Sequence, residues 1–185
     1  DLIDLMKDLN PTYHILHIPV STPTLTLVPG QYFTTKNHDK FDGWIQRATD
    51  SLQTIHTRIG PQNHILVENI NYSPIFLESF WKSDLCDLCL DMGHLLLGRE
   101  KVSQTTRQFM PVIKEVHLHG VKNDEEHLSL AVLPDARVSS WIDLLVGADF
   151  NGVVNLEVFS PEDLETSLDI LLAMNPPPPN PLAPE

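Results

Sequence analysis

The feature that most constrains this chain is a repeated unit: a short, largely apolar run that turns polar at its C-terminal end, followed by a segment whose apolar residues recur at helical spacing. Five such runs are visible, His14 to Val20, His64 to Ile70, Leu85 to Leu90, Ile113 to His119 and Val153 to Phe159. Strands that stay apolar on both sides belong in a parallel sheet covered on both faces, because a sheet with one wet face alternates instead. The intervening segments carry the helices such a sheet needs. Phe41, Trp44, Ile45, Ala48, Leu52, Ile55 and Ile59 trace one stripe, which Gly60-Pro61 ends. Ser73 is placed to cap a helix with Pro74 in its first turn. Residues 95 to 110 read as mostly helical, residues 138 to 146 as a shorter helix with Gly147 near its end, and Ser160-Pro161-Glu162-Asp163 as the start of a last helix. Strands alternating with helices predict an α/β fold, with chemistry at the C-terminal ends of the strands.

The flanks are different. Leu2, Ile3, Leu5, Met6 and Leu9 have helical spacing up to Asn10-Pro11, so the chain begins without Met inside a predicted helix, as a fragment or processed piece would. Residues 21 to 40 hold Pro23, Pro29 and Gly30 and read as a long loop that could serve as a lid. The expected division is residues 1 to 174 as one domain and 175 to 185 as a proline-rich, disordered tail.

A formal charge of -13 weighs against a nucleic acid partner, since such binding relies on Lys and Arg neutralising phosphates. No apolar run approaches the roughly 20 residues of a membrane span, and a cytoplasmic location is the default expectation. Cys86 and Cys89 lie in an apolar strand-like run, which favours buried reduced thiols over a redox or zinc pair.

The densest polar stretch runs from Glu115 to His127. Val116 and Leu118 alternate with His117 and His119, so a strand here turns both imidazoles to one face. Asp124, Glu125, Glu126 and His127 follow as a short loop. By itself this is either a metal site or a half-exposed strand with a solvated acidic turn. The other strand ends decide, because His17, Glu68, Asp91, His94 and Glu157 would rise to the same rim, and a buried carboxylate or imidazole is costly unless it is paired or bound to a metal. Asp91 could also cap the helix that follows it, His119 could support a ligand rather than be one, and Glu125 competes with Asp124 and Glu126 for one role.

The words ILVENI, LCLDMGH, EVHLHGV with EEHLSL, and VVNLEVF resemble the xylose-isomerase-like TIM barrel superfamily, which includes sugar isomerases and epimerases and the endonuclease IV type of AP endonuclease. Within it, VENINY, LCLDMGHLLLGRE and LEVFSPEDLETSL are most similar to the cobamide-remodelling phosphodiesterases. The resemblance covers about residues 10 to 172. It implies a TIM barrel present only as about its last five β/α units, since a whole barrel has eight strands and about 250 residues. It also implies metal ligands at Glu68, Asp91, His94, His117, His127, Glu157 and His17, with Glu68 and Glu157 catalytic and His119, Glu125 and Asn69 supporting or touching substrate. Two or three divalent ions, Zn or Mn rather than Mg given the mix of imidazole and carboxylate, would serve a phosphodiesterase that opens the nucleotide loop of a cobamide.

The alternative is a one-metal sugar isomerase or epimerase in which Glu68 and Glu157 also move protons. An AP endonuclease or an inactive fragment comes after it. The expected partner is a small molecule, with an oligomer covering the open barrel edge.

Overall fold

The computed structural model describes residues 9, 11–20, 26–28, 31–34, 38–60, 64–70 and 72–174. Five parallel strands form the main sheet in chain order: β1 (Tyr13–Leu16), β4 (His64–Glu68), β5 (Asp87–Asp91), β6 (Ile113–Leu118) and β9 (Val153–Leu156). Neighbours in sequence are neighbours in space, and each is linked to the next through helix, as in one side of a β/α barrel. The expected fold class is therefore observed: a parallel half-barrel sheet with helices.

The register sets the site. Leu16 lies beside Val67, Glu68 beside Cys89, Asp91 beside His117, and His117 beside Asn155, so the strand ends rise together. Strand parity divides the side chains between the two faces. Ile65, Val67, Leu88, Leu90, Val116 and Leu118 join the hydrophobic core shared with the helices. Leu66, Glu68, Cys89, Asp91, Glu115 and His117 alternate with them on the inner face, and all are buried.

On the helical side, α1 (His38–Ile59) contributes Trp44, Ala48, Leu52 and Ile59 to the core, and Trp44 packs edge-on against Tyr72 and Phe80. Its indole N–H donates to the Pro19 carbonyl at 3.1 Å, which fixes the chain leaving β1. The short helix α2 (Glu78–Lys82) packs on β5, α3 (Met92–Leu97) on β6 and the segment after it, and α4 (Val102–Phe109) follows α3. Helix α5 (Asp135–Gly147) buries Trp141, whose apolar surface is worth about 1.5–3 kcal/mol, and α6 (Pro161–Met174) follows β9.

Several expectations need correction. Residues 95 to 110 are not one helix: Gly98 caps α3, and α4 begins again at Val102. Ser73 makes no side-chain cap, because the chain there enters a 3-10 turn, Pro74–Leu77, before α2. The stretch after His119 is a hairpin rather than a loop. Its strands β7 (Gly120–Lys122) and β8 (Glu125–Leu128) are joined by Asn123 and Asp124, both at positive φ as a tight two-residue turn requires. Part of the expected lid is also paired, with β2 (Thr26–Val28) antiparallel to β3 (Gln31–Thr34). The predicted helix through Leu2 and the proline-rich tail lie outside the described residues. Among the described residues no helix is long and apolar enough to cross a membrane.

Candidate metal centre

Four side chains from four strand ends offer ligand atoms within 4.8 Å of one another: Glu68, Asp91, His117 and Glu157. His117 is the hub. Its Nδ1 lies 2.8 Å from Glu157 Oε2, 3.5 Å from Glu68 Oε2 and 3.9 Å from Asp91 Oδ2. Glu157 follows β9 and is held by its own backbone N–H, which donates to the Leu118 carbonyl at 3.0 Å. Two buried carboxylate oxygens, Glu68 Oε1 and Asp91 Oδ2, have no hydrogen-bond partner among the described residues. Buried polar atoms are normally satisfied, and two of the exceptions among the described residues sit on the two most buried carboxylates of one cluster. Three carboxylates and one imidazole around a common point, with unfilled lone pairs, fit a divalent cation of the Mn, Co or Zn kind.

The surroundings are built to hold those four. Asn69 does not reach the cluster. Its side chain accepts from the Asp91 backbone N–H at 2.8 Å and donates to the Asp91 carbonyl at 3.0 Å, clamping the end of β4 to the end of β5. Asp91 does cap α3, taking the His94 N–H on Oδ1 at 2.6 Å, so the cap and the candidate ligand use different oxygens. His17, 54% exposed, places Nε2 3.0 Å from Glu68 Oε2 at the open side.

His94 directs Nδ1 to the Asn69 carbonyl at 2.9 Å, and His127 directs Nδ1 to the Glu157 carbonyl at 3.1 Å. Their Nε2 atoms lie 3.7 Å and 3.9 Å from the Glu126 carboxylate. Of the three acids in the hairpin, Glu126 is thus the one that approaches the site. Asp124 occupies the turn, and Glu125 is exposed on β8 opposite Lys122. His119 is fully buried, accepts the His127 N–H on Nδ1 at 3.0 Å and sets Nε2 3.1 Å from Asp91 Oδ1. A side chain on Gly93 would collide with the His119 ring, which is why the turn after Asp91 carries glycine there. His127 itself sits at φ 57°, a conformation costing a non-glycine residue about 1–2 kcal/mol, and its ring is stacked between His119 and Phe159.

Two contributors went unnoticed in the sequence. Glu115 Oε1 lies 3.2 Å from His117 Nε2, and the Cys89 sulfur lies within 4.8 Å of ligand atoms of Glu68 and His117. Parity alone could have found both, since Glu115 is two residues from His117 and Cys89 two from Asp91 on inward-facing strand positions.

The cluster is strongly polarised. Burial pulls His94 down, but the Glu68 carboxylate 3.4 Å away and the charge of Asp91 outweigh that and raise it to about 9. For His117 burial is again the largest influence, and the hydrogen bonds to Cys89, Glu157 and Glu68 carry it well above the imidazole range. Burial would raise Glu68, yet His117, His94 and His17 hold it far below the usual carboxylate range, and His117 lowers Glu157 as well. Without an ion, protons on the imidazoles therefore balance the carboxylates.

A pH dependence follows. The His94 contribution to stability is fully present below its ordinary value of 6.5 and is lost as pH rises through about 9. The Glu68 and Glu157 contributions are present above their ordinary value of 4.5 and are lost as pH falls toward their depressed values. The thermal midpoint measured in chelator should peak between 4.5 and 6.5 and decline from 6.5 to 9. A profile that is flat or rising from 6.5 to 9 would contradict this assignment of charge.

No protein-family profile and no curated protein sequence matches the chain. Solved structures do. The apo 3-keto-D-glucoside 4-epimerase of E. coli aligns over 94% of this chain and 67% of its own, with TM-score 0.63 and 11% identity. A xylose isomerase domain protein from Planctomyces limnophilus aligns over 94% and 63%, with TM-score 0.66 and 15% identity. D-psicose 3-epimerase of Clostridium cellulolyticum H10 in complex with D-tagatose aligns over 94% and 67%, with TM-score 0.58 and 11% identity. The chain thus spans about two thirds of the length of these structures and shares their fold as part of a TIM barrel.

These findings overturn the expectation of a cobamide phosphodiesterase, because the similar structures include sugar epimerases, a xylose isomerase domain protein and a probable dehydratase. The surplus of histidines does gather at the site: His94, His119 and His127 form a further group with ligand atoms within 4.8 Å of one another, while His17 pairs with Glu68.

Proposed function

We propose that this chain carries the active site of a divalent-metal-dependent isomerase or epimerase acting on a small sugar or sugar phosphate. The observation that supports this best is the convergence of Glu68, Asp91, His117 and Glu157 on one point, with oxygens of Glu68 and Asp91 left unsatisfied. One ion of the Mn, Co or Zn kind, held by those four, would polarise the substrate carbonyl and its neighbouring hydroxyl.

The remaining steps belong to the protein. Glu68 and Glu157 flank His117 from different strands, at 3.5 Å and 2.8 Å from its Nδ1. One carboxylate takes the proton from the carbon beside the carbonyl. The electron pair moves into the carbonyl to give an enediolate, which the other carboxylate reprotonates on the opposite face of the same carbon, or which is reprotonated on the adjacent carbon while the hydroxyl proton passes to the former carbonyl oxygen. The first outcome is epimerisation and the second aldose–ketose isomerisation. His94, His127 and Glu126 form the outer polar wall and hydrogen-bond sugar hydroxyls, while His17 orients Glu68 from the solvent side.

The test is to load the full chain with Mn2+ and incubate it with a panel of aldoses, ketoses and their phosphates in D2O. Deuterium should appear at the carbon beside the carbonyl, with interconversion of at least one pair. Bound ion with neither deuterium uptake nor interconversion across the panel would sink the proposal.

A further inference from the structure

We infer that Glu115, deep on the inner face of the sheet, is a positioning residue that dictates which nitrogen of His117 is offered to an ion. The inference rests on the metal site proposed above and concerns how that site is held in its working state. His117 lies between carboxylates on both sides of its ring. On the Nδ1 side stand Glu157 at 2.8 Å, Glu68 at 3.5 Å and Asp91 at 3.9 Å. On the Nε2 side the carboxylate is that of Glu115, at 3.2 Å.

A neutral imidazole has one proton for two nitrogens, and only the bare nitrogen can ligate. With three carboxylates on one side, the proton would settle at Nδ1, where the ion must bind. A carboxylate at Nε2 reverses this. It accepts the Nε2–H, leaves the Nδ1 lone pair facing Glu68, Asp91 and Glu157, and makes the ring more basic, as carboxylate–histidine–metal arrangements do generally. Glu115 is fitted to this and to little else. It is buried, it lies on β6 two residues before His117 and on the same face, and its carboxylate bonds the nitrogen that points away from the cluster. It touches neither the ion position nor a substrate above it.

The experiment compares Glu115→Ala and Glu115→Gln with the parent chain, first by equilibrium dialysis with Mn2+ and then by 15N NMR of the histidines in the Zn2+-loaded proteins. Glu115→Ala should weaken Mn2+ binding about tenfold to a hundredfold. Glu115→Gln keeps an acceptor oxygen without the charge and should fall between the two. In the Zn2+-loaded parent, His117 should be ligated through Nδ1 with a protected Nε2–H, and that signal should be lost or mixed in Glu115→Ala. Near-ultraviolet circular dichroism establishes that the variants are folded, and Glu115→Gln carries the test if Glu115→Ala is not. Folded variants that bind Mn2+ as tightly as the parent, or a parent ligated through Nε2, would overturn the role of Glu115 while leaving the metal site standing. A parent that binds no Mn2+ or Zn2+ would overturn the metal site and Glu115 with it.

Discussion

Glu157→Gln is expected to reduce turnover of a sugar substrate by about a hundredfold to ten-thousandfold while retaining bound ion, the range typical for loss of a general acid or base. Gln keeps an oxygen that can reach the ion but cannot accept a proton from carbon. Glu68→Gln should cost a similar factor for the same reason. It should also weaken ion binding further, because Glu68 is the more buried carboxylate and is bonded by His17 and close to His94 and His117 together. Steady-state kinetics at saturating Mn2+, with occupancy measured in parallel, makes the comparison. A Glu157→Gln enzyme within about tenfold of the parent kcat at full occupancy would remove Glu157 from proton transfer.

Asp91→Asn should separate two jobs that one side chain performs. The amide oxygen can still accept the His94 N–H and cap α3, a bond of 2.6 Å in the parent. The charge and the unsatisfied Oδ2 would be gone. Without ion, the Asp91 carboxylate is paired with His94 and His119, so removing its charge loses those ion pairs. The variant's thermal midpoint in chelator is therefore expected to fall below the parent's. Added ion should stabilise the parent by about 2.7 kcal/mol at a hundred times its Kd and the variant hardly at all. Equal ion-induced shifts in the two proteins would exclude Asp91 as a ligand. A metal-free Asp91→Asn at or above the parent's midpoint would mean that repulsion among the carboxylates outweighs the ion pairs with His94 and His119.

Much of this architecture is carried by local pattern. The apolar runs ending in Glu68, Asp91 and His117 specify parallel strands because only burial on both faces suits them, and the stripe from Phe41 to Ile59 specifies the helix that covers β1 and β4. Where local signals were weak, the reading from sequence slipped. The hairpin of β7 and β8 depends on Asn123 and Asp124 at positive φ, and neither is the glycine that would have announced such a turn. The helix after Asp91 ends where Arg99 takes a φ of 61°, a turn that no glycine at that position announces, and α4 begins after it.

The candidate site divides in the same way. The sequence by itself determined which residue types sit at the strand ends and, through the period of two, which of them share a face: Glu68, Asp91, His117 and Glu157 on one rim. Only the tertiary structure decided which atoms meet. Strand register placed Asp91 beside His117 rather than a residue higher or lower, and the turn at Asn123 brought Glu126 toward His94 while leaving Glu125 in solvent. The same register put Glu115 against the far nitrogen of His117 and turned Asn69 into a clamp on the Asp91 backbone. Periodicity fixes direction along one strand, whereas distances of a few ångströms between residues far apart in sequence depend on how neighbouring strands are staggered and on how the loops between them close.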